Sequence, residues 1–191
     1  RGLSWITNGI SLAIALGEEH ADQLAGIVAV DGLPVFPRLA QATPAARGIM
    51  AGQMAGSYAS LSKAEELDAE RKYMRTMGTN RAELVEASAR LEARSDPAAM
   101  GQWMREDLTA DLRPDLGKIT IPFLEIMPYE PADAKPPRAY TQDQTVAFYQ
   151  LLIAGAPKGK VVVVAPSRHF VMLDQPEAFY KAVGGFISAI A

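Results

Sequence analysis

The chain has 191 residues, 49% hydrophobic and 21% charged, which is ordinary globular composition and enough apolar material for one domain with a real core. A net charge of −3 without a basic run argues against nucleic acid and anionic membranes as partners. The absence of cysteine excludes a disulfide framework and thiol catalysis, and leaves cytoplasm and periplasm equally open for a soluble chain.

At the amino end Leu3, Trp5, Ile6, Ile10 and Leu12 are apolar, but Asn8, Gly9 and Ser11 interrupt them, so the segment reads as core rather than as a signal peptide or membrane span. A helix is predicted over 11–24, buried at Leu12, Ile14, Ala15 and Leu16 and reaching solvent at Glu18, Glu19 and His20. Residues 26–30 read as a short buried strand, stopped by Asp31-Gly32-Leu33-Pro34. Helix then strand, with a carboxylate at the strand's end, is half of a parallel crossover.

From Val35 to about Arg113 the chain turns to alanine, methionine and charged residues with helical spacing. Thr43-Pro44 and Asp96-Pro97 each open a helix, and Ser62 with Glu65 and Asn80 with Glu83 are spaced as capping boxes for two more. Met50, Met54, Met74, Met77, Met100, Met104 and Trp103 suit either helix packing or an adaptable apolar pocket, with Trp103 the foremost pocket candidate. A returning strand is predicted over 122–127, proline being tolerated at its first position. A proline-rich loop follows, and Thr141 with Gln144 caps a helix running to about Ala154.

Four consecutive valines, 161–164, predict a strand buried on both faces. Just past its carboxyl end stands His169, where open α/β sheets place their chemistry. Asp174 and Pro176 read as the cap and first turn of the last helix. Only two histidines are present, His20 and His169, without ligand spacing, so no metal is predicted.

The string His-Phe-x-x-x-Asp-x-Pro-x-x-Phe, 169–179, after a valine-rich strand resembles the carboxyl-terminal signature of the α/β-hydrolase family. The resemblance implies that His169 is the general base of a nucleophile–His–acid triad acting on an ester or related acyl bond of a small molecule, with Phe170 beside it at the pocket and no cofactor. It extends to His20-Ala21-Asp22, similar to the turn that ends the family's nucleophile helix. Counting back places Thr7 at the nucleophile position, with Ser4 and Ser11 as alternatives and Asn8 N–H as an oxyanion donor. The family's first elbow glycine is replaced by Trp5.

The acid is expected after the seventh family strand, at Glu130 or, three further on, Asp133; some members place it after the sixth, where Asp31 stands. The resemblance implies a partial α/β-hydrolase fold of about three parallel strands flanked by helices: core over 1–34 and 116–191, helical cap over 35–115. The family's earlier strands have no counterpart here. The expectation is therefore a fragment, a truncated product or half of a two-chain enzyme, with the missing amino-terminal half or a homo-oligomer as partner. A non-catalytic domain that binds a partner or apolar ligand through the cap groove or open sheet edge is the competing reading.

Overall fold

A computed structural model describes residues 2–6, 8–135 and 139–191, with side chains from Leu12 onward. In chain order the elements are strand β1 (Gly2–Ile6), helix α1 (Asn8–Glu19), β2 (Gly26–Val30), α2 (Pro44–Ala59), α3 (Lys63–Tyr73), α4 (Val85–Glu92) and α5 (Pro97–Thr109). They are followed by β3 (Phe123–Pro128), α6 (Gln142–Ile153), β4 (Gly159–Val164), α7 (Val171–Asp174) and α8 (Pro176–Ile190). The chain divides into two compact units, one of residues 1–34 with 112–191, the other of residues 35–111.

The first unit is built on a parallel sheet in the order β1-β2-β3-β4. This is a partial α/β-hydrolase fold with one strand more than predicted, because residues 2–6 pair with 26–30 instead of serving only as an approach to the first helix. Every residue of β2 is buried, as are the first five of β3, as expected of strands covered on both faces.

On one face Val28, Val30, Leu124, Ile126 and Val164 pack with Val171 against Phe179, Val183 and Phe186. The alternate residues of each strand, among them Ile27, Phe123 and Glu125, point to the opposite face. Gly17 of α1 lies so close to β2 that an added Cβ would sit 2.4 Å from the Ile27 side chain.

The valine run corrects one expectation. β4 alternates between half-buried and exposed positions up to Val164, and Val162 is 38% exposed. It borders the described sheet on one side, so only Val164 of the four is buried; four in a row report strand propensity, not a central position.

The second unit is helical, and its helix starts follow local chemistry. Thr43 Oγ1 accepts from Ala46 N–H, Asp96 Oδ1 accepts from Ala99 N–H, and Ser62 with Glu65 closes a full capping box. The helix predicted to open at Asn80 and Glu83 starts later. Thr79 Oγ1 takes the Arg81 N–H, Glu83 pairs with Arg81, and α4 begins only after a 3-10 turn, at Val85.

Leu39, Ala51 and Leu108 form the core here, with Phe36 and Met104 against it. Arg47 pairs with Asp111 at 3.1 Å and donates to the Ala42 carbonyl. Gly101 permits close approach of α5 to α2: an added Cβ would lie 2.9 Å from the Ala55 carbonyl oxygen and from the Ala59 Cβ. Gly101→Val is therefore expected to force these helices apart and lower stability by about 1–3 kcal/mol, measured by urea unfolding.

Candidate functional site

β2, β3 and β4 run in one direction side by side, so the turns after them open on the same sheet edge. Asp31 follows β2 directly and His169 lies in the loop after β4. Their side chains meet, His169 Nδ1 standing 2.7 Å from Asp31 Oδ2. Asp31 adopts φ 49°, in the left-handed region that asparagine and aspartate enter more readily than other residues with a side chain. The turn is tied to β3 twice: Asp31 N–H donates to the Ile126 carbonyl at 2.9 Å, and Gly32 N–H donates to Glu125 Oε1 at 3.1 Å.

The second Asp31 oxygen, Oδ1, accepts the Tyr149 hydroxyl of α6. Both oxygens of the carboxylate are thus engaged, one by a phenol and one by an imidazole. Burial, and then the Asp31 charge, push the Tyr149 hydroxyl well above its ordinary value, so it remains a donor. Burial also pushes the Glu125 carboxyl well above its usual range, with the Asp31 charge acting in the same direction and the Gly32 N–H opposing.

The histidine loop is held by its own contacts. Ser167 Oγ donates to the Val164 carbonyl at 2.6 Å, and Ser167 N–H to the Tyr129 carbonyl at 3.0 Å. Arg168 N–H donates to Asp174 Oδ2 at 2.7 Å, while its guanidinium forms a two-pronged pair with Asp133 at 2.7 and 2.8 Å. His169 is 8% exposed, and its ring stands edge-on to Phe170 with centroids 4.9 Å apart.

The sequence candidates thus fall unevenly. Asp31, not the favoured Glu130, is the carboxylate on Nδ1; Glu130 accepts from Ala132 N–H at the start of a short turn, and Asp133 is engaged by Arg168. Asp174 does not cap the last helix. It ends α7, and its carboxylate ties down the histidine loop, while Gln175 precedes α8 without a side-chain cap.

Thr7 lies outside the described residues, between the end of β1 at Ile6 and the start of α1 at Asn8. Ser4 sits within β1, in register with Val28, so it belongs to a strand interior instead of a turn. Ser11 is in α1.

Trp103 of α5 is 52% exposed. A groove of about 450 Å³ in the helical unit is lined by Gln53, Met54, Ser57, Tyr58, Leu61 and Met104, and Trp103 is not among these residues. Among the described residues no cluster of three or more histidine, aspartate or glutamate side chains could hold a metal ion, and no helix is long and apolar enough to cross a membrane.

Two members of the Asp31 surroundings, Tyr149 and Glu125, were not singled out from the sequence. Tyr149 is one more apolar-facing residue of an amphipathic helix and carries no local signal. Glu125 does carry one, a lone carboxylate within Phe123-Leu124-Glu125-Ile126-Met127.

This arrangement is the α/β-hydrolase fold, and solved structures agree. An enol-lactonase from Burkholderia xenovorans superposes with a TM-score of 0.68 at 16% identity, over 98% of this chain and 65% of its own. A thermophilic esterase from Thermogutta terrifontis gives 0.70 at 17% identity, covering 99% and 65%, and a hydrolase from Pseudomonas aeruginosa gives 0.71 at 16%, covering 96% and 63%. The chain spans about two thirds of the length of these proteins. No protein-family model matches the sequence, and no curated protein matches it at a significant level.

Tyr149→Phe, which removes the hydroxyl from Asp31 while keeping the ring, is expected to lower stability by about 1.5–3 kcal/mol, the range for a hydrogen bond to a charged group. Denaturant unfolding of the two proteins side by side measures it.

Proposed function

We propose that this chain carries the base and acid of a nucleophilic acyl-hydrolysis site that cleaves an ester or related acyl bond of a small molecule. The observation that supports it most is the 2.7 Å contact between His169 Nδ1 and Asp31 Oδ2 at the carboxyl ends of parallel strands. Asp31 accepts the Nδ1 hydrogen and so selects the tautomer in which Nε2 takes a proton. Nε2 then receives the nucleophile's hydroxyl proton as oxygen attacks the acyl carbon, and returns it to the leaving group as the tetrahedral intermediate collapses to an acyl-enzyme. Water repeats the sequence and releases the acid.

By sequence position the nucleophile is Thr7, between Ile6 and Asn8, while the other candidate, Ser4, lies inside β1. The N–H of Asn8, first residue of α1, is one oxyanion donor. Phe170 contributes apolar surface beside the base. The helical unit, 35–111, takes the role of the family's cap, with Trp103 its pocket candidate. Fold relatives that are an enol-lactonase and an esterase agree with acyl chemistry.

Labelling with a fluorophosphonate probe and turnover of p-nitrophenyl esters test the reading, on the 191-residue chain and on the product of its full reading frame. Little turnover is expected from the 191-residue chain alone, since it spans about two thirds of its fold relatives. In the full product, His169→Ala abolishes labelling and turnover. Asp31→Asn lowers kcat on the order of 10⁴-fold through the wrong tautomer, whereas Glu130→Gln has little effect. Absence of labelling and turnover in both forms sinks the hydrolase reading and leaves that of a binding domain.

A further inference from the structure

Glu125 stands in the middle of β3, flanked by Phe123, Leu124, Ile126 and Met127, and its side chain has no exposed surface. Oε1 accepts the Gly32 N–H at 3.1 Å, while Oε2 is buried and has no hydrogen-bond partner among the described residues. Leaving a polar oxygen dry costs stability that an apolar side chain at this position would not forfeit. Such a cost in a strand interior points to a use.

We propose that Glu125 is a positioning residue for the Asp31–His169 pair: by holding the Gly32 N–H it fixes the left-handed turn that aims the Asp31 carboxylate at Nδ1. Asp31 at φ 49° needs its surroundings to keep it there, and the two N–H groups of the turn are both taken by β3. The Ile126 carbonyl is an acceptor any residue would supply. The Glu125 side chain is the contact that depends on residue type.

The titratable groups that face Glu125 are Asp31, from the turn after β2, and Tyr149, from α6. Burial and the Asp31 charge favour the protonated carboxyl. In that state Glu125 accepts from Gly32 without setting a second negative charge beside Asp31. The inference rests on the reading of His169 and Asp31 as base and acid, yet the geometry it concerns can be measured without substrate.

With only two histidines in the chain, His20→Gln assigns the imidazole resonances of labelled protein. The readouts are the downfield Nδ1–H resonance and tautomer of His169, and hydrogen exchange at the Gly32 amide. Glu125→Gln, which keeps an acceptor of the same shape, is expected to leave all three as in the wild type. Glu125→Leu and Glu125→Met, the second guarding against a packing failure of the first, are expected to speed Gly32 exchange and weaken the Nδ1–H resonance toward that of Asp31→Asn.

A second measurement holds whether or not those variants fold. Full burial, with Oε2 unpartnered among the described residues, favours a proton on native Glu125 that the unfolded chain releases above the ordinary carboxyl range. Stability must therefore fall as pH rises through that interval, the unfolding constant growing by up to about tenfold per pH unit from this group. Glu125→Gln is expected to remove that slope.

Wild-type resonances and Gly32 exchange in both apolar variants, or parallel stability profiles for wild type and Glu125→Gln, overturn the proposal. An intact Nδ1–H signature that Glu125 controls, with no labelling or turnover in either the 191-residue chain or the product of its full reading frame, sinks the hydrolase reading while upholding the positioning role.

Discussion

In a parallel sheet every strand delivers its carboxyl end to the same edge, and that constraint decides which distant residues of this chain can meet. Asp31 and His169 are 138 positions apart in sequence and 2.7 Å apart in space. They reach each other over the end of β3, the strand that lies between their own. β3 does more than space them: it is buried along nearly its whole length and takes both N–H groups of the Asp31 turn. The geometry of the pair is thus tied to the best-covered part of the core.

Around that edge, charge is placed with economy. Asp31 is only partly exposed, and both its oxygens are bonded, so the carboxylate cannot swing away from the imidazole without breaking its contact with Tyr149 as well. Burial and the Asp31 charge favour the neutral forms of the two neighbouring groups with raised titration, Tyr149 and Glu125. On the loop side Arg168 is spent on Asp133 while its backbone is held by Asp174, which directs the guanidinium charge to a different carboxylate. Rigidity and charge separation arise from the same contacts.

What could be read from the sequence follows the range of the interaction. Capping at Thr43, Ser62, Asp96 and Thr141 is decided within four residues, and each appears where its spacing predicts. After Asn80 a 3-10 turn intervenes and α4 begins only at Val85, later than the spacing predicts. The α/β fold was legible from the strand–loop–helix string around His169 because the string itself encodes three consecutive elements.

The coverage of the valine run was not legible. Whether a strand is central or peripheral depends on how many others pair beside it, which no window of sequence contains. The choice between the two carboxylates open for His169, Glu130 and Asp31, was not legible for a similar reason: the contact is made through a left-handed turn at Asp31 anchored in β3. Tyr149 was invisible, since one aromatic on a helix gives no hint of what its hydroxyl meets.

Within each unit, the two residues next to the boundary are paired with each other. Leu112 N–H donates to the Pro34 carbonyl at 2.8 Å, and Val35 bridges antiparallel to Asp111. For β2 and β3 the whole intervening segment therefore behaves like a short connection whose ends are already closed, and its length adds little to the entropy of bringing those strands together. Insertions joined in this way can drift in sequence, shrink or be exchanged with small consequence for the sheet, so the two units are free to evolve at different rates.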